Sequence, residues 1–175
     1  MSVQPILPTA RLELRPLQRA DSSRVQHLAG APEIADTTLN IPHPYEDGLA
    51  EAWIDTLRPA WDRGEQATFA ITNATDGLVG VVGLRIQPAH RRAELGYWIG
   101  VPYWGRGYAS EAAGAVIRYG FDSLNLNRIY AHHLARNPTS GRVLLKSGML
   151  REGLHPHHLV KAGRVEDVVS YGILR

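Results

Sequence analysis

A change of period around two glycines constrains this chain more than any other feature. Residues 93–101 (AELGYWIGV) alternate as a strand does. Residues 108–121 then set Ala109, Ala112, Ala113, Val116, Ile117 and Gly120 at steps of three and one, a single apolar helix face. Residues 128–135 (RIYAHHLA) return to a strand. Between the first strand and the helix stands YWGRGYASE, with Gly105 and Gly107 one residue apart. A strand–helix–strand connection of this length permits the two strands to lie parallel. A mixed α/β sheet is therefore expected.

The rest of the chain fits that sheet. Residues 11–15 (RLELR) alternate up to Pro16 as a first strand. Asp21 is placed to cap a short helix with Val25, Leu28 and Ala29 inward. A proline-rich loop, IPHPYED, covers residues 41–47. Asp47 is placed to cap a second helix with Leu49, Trp53, Leu57 and Trp61 inward, which Pro59 should kink or shorten. Strands at 67–72 and 78–86 are joined by an NATDG turn and form an antiparallel meander with residues 93–101. Asn137 and Pro138 mark the start of a helix that runs to Lys146 and ends at Gly148. Two last strands, at 149–159 and 165–174, turn at Ala162 and Gly163. The expectation is thus about seven strands and about four helices. No linker divides the chain, so residues 1–175 are read as one domain.

Composition narrows the function classes. Hydrophobic residues at 44% and charged residues at 21% exclude wholesale disorder. The formal charge of +2 is too small to argue for a nucleic-acid partner. Cysteine is absent, which excludes a disulfide framework, a thiolate nucleophile and a Cys-based zinc site. The opening MSVQPILPTARLELRP has no apolar core of signal-peptide length, and no long uncharged apolar window suggests a membrane helix. A cytoplasmic protein with no membrane partner is expected. The eight histidines include a cluster, His155, His157 and His158, and the pair His132–His133. Adjacent strand residues face opposite sides, and no carboxylates stand nearby in ligand spacing, so no metal site is assigned.

The glycine pair carries the chemistry. Glycine lets backbone approach a ligand and take positive φ. The amides of residues 106–109 would then point out of the helix N-terminus, a site for phosphate or pyrophosphate. A Gly-x-Gly before a helix is equally consistent with a tight turn. The spacing of a Walker-type loop and that of a dinucleotide fold are both missing.

At this point the sequence resembles the GNAT superfamily of acyl-CoA N-acyltransferases, and within it the RimJ/RimL-like branch of ribosomal-protein N-terminal acetyltransferases. The resemblance rests on RLELRPL at 11–17, AELGYWIGVPYWGRGYASEA at 93–112, LNLNRIYAHHLARNPTSGRVLLKSGMLREG at 124–153 and GRVEDVVSYGIL at 163–174. Two departures stand out: Trp104 opens the loop motif where Gln or Arg is usual, and Gly141 follows Ser140 where a larger residue is common. The resemblance implies a GNAT fold splayed between the fourth and fifth of seven strands, with acetyl-CoA as cosubstrate and no metal.

It also implies roles. The backbone of Ile99, Gly100 and Val101 would pair with pantetheine, with Gly100 as a bulge. The amides of Arg106, Gly107, Tyr108, Ala109 and Ser110 would hold pyrophosphate, and Arg106 could add a charge. Glu111 would complement the helix dipole and point away from the ligand. Asn137 would hydrogen-bond the pantetheine arm or cap its helix. Ser140 would stabilise the departing thiolate or face solvent. Glu94 would be the general base, or would pair with Arg85 or Arg92 across the hairpin. Tyr45 and Trp98 would line the acceptor pocket. The implied reaction is direct transfer of an acetyl group to a primary amine, in first place a protein or peptide N-terminus. A small amine (polyamine, amino-acid derivative or aminoglycoside) is the rival acceptor. A non-catalytic acyl-CoA-binding module and a binder of another nucleotide are the rivals in kind. The apolar C-terminal strands offer an edge for a homodimer.

Overall fold

The segments with strand periodicity pair into one continuous sheet. The computed structural model describes residues 3–175. Its strands are β1 (Leu7–Pro8), β2 (Glu13–Pro16), β3 (Gln66–Asn73), β4 (Gly77–Gln87), β5 (Arg92–Ile99), β6 (Arg128–Leu134), β7 (Leu150–Lys161) and β8 (Arg164–Leu174). Its helices are α1 (Ser22–Ala29), α2 (Pro32–Thr37), α3 (Leu49–Asp62), α4 (Tyr108–Asp122) and α5 (Pro138–Lys146). The strand order is β1-β2-β3-β4-β5-β6-β8-β7. Every neighbouring pair is antiparallel except β5 and β6, which the α4 crossover makes parallel.

That parallel pair is short. Arg92, Ala93 and Glu94 face Arg128, Ile129 and Tyr130, and the register ends there. β5 keeps its pairing with β4 out to Ile99, while β6 turns to β8. The sheet is therefore open as a fork beyond Glu94, and its walls are residues 95–99 and 131–134.

The core forms where apolar side chains of the central strands meet the helices. Leu14, Phe69, Ile71, Val79, Val82, Leu84 and Ile129 are fully buried, each worth about 1.5–3 kcal/mol relative to exposure. α4 presents the face read from its spacing, burying Ala112, Ala113, Val116, Ile117 and Gly120. Tyr119 sits edge-on to Phe69, with ring centroids 5.8 Å apart. α4 and α5 pack on each other, as do α1 and α3.

Several local expectations are corrected. Eight strands and five helices replace seven and four, because β1 and α2 are too short to leave a periodic signal. Asp21 stands before α1 but makes no cap hydrogen bond. Its carboxylate instead accepts from Arg15 at 2.7 and 2.8 Å and from the Gln18 amide at 2.8 Å. Gly48, not Asp47, occupies the cap position of α3, and Asp47 accepts from Gln26 Nε2 at 2.6 Å. α3 runs through Pro59 and buries Ala50, Ile54, Leu57 and Ala60, with Trp53 and Trp61 packed part-buried against the core. Gly100 is no bulge. β4 and β5 pair without a register shift, and Gly100 lies past the strand end, close against Leu28. The final hairpin turns at Ala162 and Gly163 as expected, both with positive φ.

Candidate active site

The fork opens into a cavity of about 670 Å³. Glu94 and Trp98 line it from β5, His132 and His133 from β6, Ser140 from α5, and Tyr45 from the loop before α3. Strand alternation explains the division of labour. Glu94, Gly96 and Trp98 lie on one face of β5, and Leu95 and Tyr97 on the other. Tyr97 meets Ser140, so α5 covers the face opposite Glu94 and Trp98.

On the first face, Glu94 is held by two basic groups. His132 Nε2 stands 3.1 Å from Glu94 Oε1, and Arg85 Nη1 stands 3.6 Å from Oε2. The hydrogen bond from His132 is the main cause that keeps the Glu94 carboxyl below the ordinary carboxylate pKa; burial acts the other way and is outweighed. Arg92, the other partner expected from the sequence, bonds Gln87 and lies over the Tyr130 ring instead. Burial also raises the Tyr45 phenol above its usual value.

On the second face, Tyr97 Oη lies 2.6 Å from Ser140 Oγ and 3.2 Å from the Ser140 carbonyl. Burial pushes the Tyr97 phenol up to about 12, partly offset by the Ser140 hydrogen bond. Behind this pair lie His133 and Tyr171, ring centroids 5.5 Å apart. His133 Nδ1 is 2.7 Å from the Leu134 carbonyl, while Nε2 is buried without a protein partner. Gly141 is required here. A Cβ would come within 2.8 Å of both His133 Nε2 and the Tyr171 hydroxyl. The start of α5 is tightly packed.

The glycine loop forms a second feature outside this cavity. Gly105 and Gly107 take φ of 76° and 79°, which β-carbon-bearing residues adopt at a cost. No side chain caps α4, and its first helical bond runs from the Glu111 amide to the Gly107 carbonyl. The amides ahead of Glu111 have no carbonyl a turn below them. Arg106 folds back over Tyr103, 5.4 Å from the ring centroid, and donates to the Pro102 carbonyl. Glu111 turns to the N-terminal segment, accepting from Thr9 at 2.7 Å and from the Arg11 amide at 2.8 Å. Arg11 was read as a strand residue. The structure places its guanidinium on the Arg106 carbonyl, beside Gly107 and over Tyr108.

Trp104 Nε1 donates to the Ile99 carbonyl at 2.6 Å, and the Gly100 amide donates to Val79, so both are already engaged. Neither they nor Val101 line the cavity. Asn137 caps α5 by accepting from the Ser140 amide at 3.3 Å and reaches the Thr37 carbonyl with its amide. Sequence reading assigned no role to Tyr97 or Arg11 and weighed His132 and His133 only as metal ligands. The signals available were the alternation that sets Tyr97 opposite Glu94 and the adjacent histidines on the strand expected to run parallel to β5.

Acetyl-CoA as a substrate fits these features. Uncapped amides face outward at the loop, Gly96 leaves open space where a Cβ would meet no protein atom within 4 Å, and a buried ring nitrogen lines the cavity. Comparison with known proteins agrees. A model described as the acetyltransferase (GNAT) domain matches residues 11–150. The chain is 30% identical to a spermidine N(1)-acetyltransferase of Vibrio cholerae, covering 95% of this chain and 94% of the relative. It is 37% identical over 92 residues to the ribosomal-protein-serine acetyltransferase of Escherichia coli, covering 52% and 51%. A crystal structure of a GNAT-family acetyltransferase from Bacillus anthracis superposes with a TM-score of 0.85 at 26% identity, covering 97% and 98%. The chain belongs to the GNAT family and is an acetyl-CoA-dependent N-acetyltransferase.

Proposed function

We propose that this protein acetylates the N-terminal α-amino group of a protein or peptide by direct transfer within a ternary complex. One observation carries the reading: the fork joins a Glu94–His132 face to a Ser140–Tyr97 face through a single cavity. An amine entering beside Glu94 meets a thioester whose sulfur lies toward Ser140. The amides of residues 106–110 hold the pyrophosphate, and the open edge of β5 beyond Glu94, with Asn137, guides the pantetheine arm. The amine lone pair attacks the acetyl carbonyl carbon, and the C–S bond breaks. Ser140, backed by Tyr97, donates to the departing thiolate. The proton lost by the amine leaves through the Glu94 side of the cavity.

The cavity chemistry supports a monoamine. Among the described lining residues its only carboxylate is Glu94, which faces His132 and Arg85, while Ile41, Tyr45, Leu49, Trp53 and Trp98 make apolar wall. A polyamine chain would find no second carboxylate on that lining for its further charges; Glu51, near Tyr45, has a buried carboxylate oxygen. A peptide N-terminus needs one amine site and tolerates an apolar surround. The reading places the whole reaction in one domain that acts in the cytoplasm. It also keeps a homodimer, for which the edge strand β7, with Leu150 and Val160 exposed, supplies the strand edge. No helix among the described residues is long and apolar enough to cross a membrane.

The test is acetyl-CoA calorimetry followed by an acceptor panel of short peptides, amino-acid amides and spermidine. Wild type is expected to bind acetyl-CoA and Gly107→Glu to lose it, because the new carboxylate faces the pyrophosphate. Peptides are expected to exceed spermidine in kcat/KM by about tenfold or more, a difference of about 1.4 kcal/mol. A preference for spermidine replaces the acceptor. Tight binding with no turnover on any amine leaves an acyl-CoA-binding module.

A further inference from the structure

We infer that His132, not Glu94, takes the proton from the acceptor amine, with Glu94 as the positioning carboxylate behind it; this rests on the acetyltransferase reading above. The two residues come from neighbouring strands at the point where the sheet opens. Glu94 is the last residue of β5 paired with β6, opposite Tyr130, and His132 lies two positions further along β6. Both line the cavity, with side chains 24% and 28% exposed.

The geometry separates their roles. His132 Nε2 stands 3.1 Å from Glu94 Oε1 and Arg85 Nη1 stands 3.6 Å from Oε2, so each carboxylate oxygen has a basic neighbour. A carboxylate so engaged gives up basicity. The imidazole is placed the other way. With Nε2–H donated to Glu94, the neutral ring carries its lone pair on Nδ1, as in a carboxylate–histidine pair. Among the described residues Nδ1 has no protein partner. Tyr130 stacks on the ring, with centroids 6.2 Å apart and planes 26° apart. His133 has the opposite tautomer, with Nδ1–H on the Leu134 carbonyl and its lone pair on a buried Nε2 packed against Gly141, behind the Ser140–Tyr97 pair and away from the Glu94 side of the cavity.

The step balances as follows. The amine nitrogen forms its bond to the acetyl carbonyl carbon as the C–S bond breaks, the sulfur leaves as thiolate beside Ser140, and one N–H proton passes to His132 Nδ1. Glu94 stabilises the resulting imidazolium without being protonated. The ring returns the proton to solvent through the cavity mouth.

Two measurements on the full-length protein decide it. Ring ¹⁵N NMR, with the His132 signals identified by their absence in His132→Ala, is expected to show neutral His132 protonated on Nε2. In Glu94→Ala that preference should be lost. Kinetically, His132→Ala and the volume-keeping His132→Gln should lower kcat about 10²-fold or more, with the KM for acetyl-CoA within about twofold. Added imidazole should restore at least about tenfold in His132→Ala and nothing in Glu94→Ala. An Nδ1-protonated ring in wild type overturns the pair. So does a His132→Ala protein that keeps wild-type kcat, and an inactive Glu94→Gln beside it returns the base to the carboxylate. If wild type binds no acetyl-CoA, the acetyltransferase reading fails by itself, and the NMR result still decides the pair.

Discussion

Tyr97 and Ser140 show how one residue's environment sets its chemistry. A serine hydroxyl is a weak donor to a thiolate by itself. Here it stands 2.6 Å from a phenol that burial pushes up to about 12, so the phenol keeps its proton throughout the neutral range. Ser140→Ala and Tyr97→Phe are each expected to lower kcat about tenfold to a hundredfold, within or below the loss seen when a single preorganised donor is removed. The KM for acetyl-CoA should stay within about twofold. No fall in kcat between about pH 7 and pH 9 should trace to Tyr97 ionisation, because a phenol raised above its ordinary value of about 10 is still protonated there. A basic limb present in wild type and absent in Tyr97→Phe would refute this. Gly141 belongs to the same scale. Its lack of a side chain is what lets α5 bring Ser140 down onto Tyr97 above the tilted His133–Tyr171 pair.

Among elements, the joint between β2 and α1 carries a testable charge pair. Asp21 is nearly buried and accepts from Arg15 Nη1 and Nη2 and from the Gln18 amide. Burial is the largest single cause acting on Asp21 and raises its pKa, but the hydrogen bonds together outweigh it, and the net effect lowers the pKa. A carboxyl depressed in the folded state stabilises above its unfolded pKa of about 3.9, and that contribution is lost as pH falls through the folded value. Asp21→Asn should therefore cost about 2 kcal/mol at pH 7, the size of charge-assisted hydrogen bonds. The gap to wild type should close below about pH 4. Urea denaturation of both proteins at pH 7 and pH 3 measures it, and an equal gap at both values would show that the pair is not the source. This element also shows a limit of local signals. Asp21 has the residue type and place of a cap, yet Arg15, six residues earlier, claims its carboxylate.

At the scale of the whole molecule, the proposed acetyl-CoA site spans β5, α4 and α5, which are far apart in the chain. Binding should then stabilise the entire fold. At about 100 times Kd the linkage is about 2.7 kcal/mol, and a chain of this size gains about 2–4 °C per kcal/mol. A rise in Tm of about 5–10 °C is expected in wild type and none in Gly107→Glu, measured by differential scanning calorimetry. An equal rise in both would move the pyrophosphate away from the loop. Much of this architecture was legible in one dimension. The period change around Gly105 and Gly107, the α4 face, the meander and the Ala162–Gly163 turn are local properties, because periodicity, capping and φ preference act within a few residues. Family membership followed from several motifs in order. What only the tertiary structure decided is who pairs with whom. Strand alternation placed Glu94 and Trp98 on one face but could not say that His132, nearly forty residues later, would stand 3.1 Å from Glu94. Nor could it say that Tyr97 would meet Ser140, that Trp104 would take the Ile99 carbonyl, or that Arg11 would lie across the glycine loop. Those contacts depend on the register of a parallel pair and on where it ends, and register is set by the packing of the whole sheet, not by any segment of it.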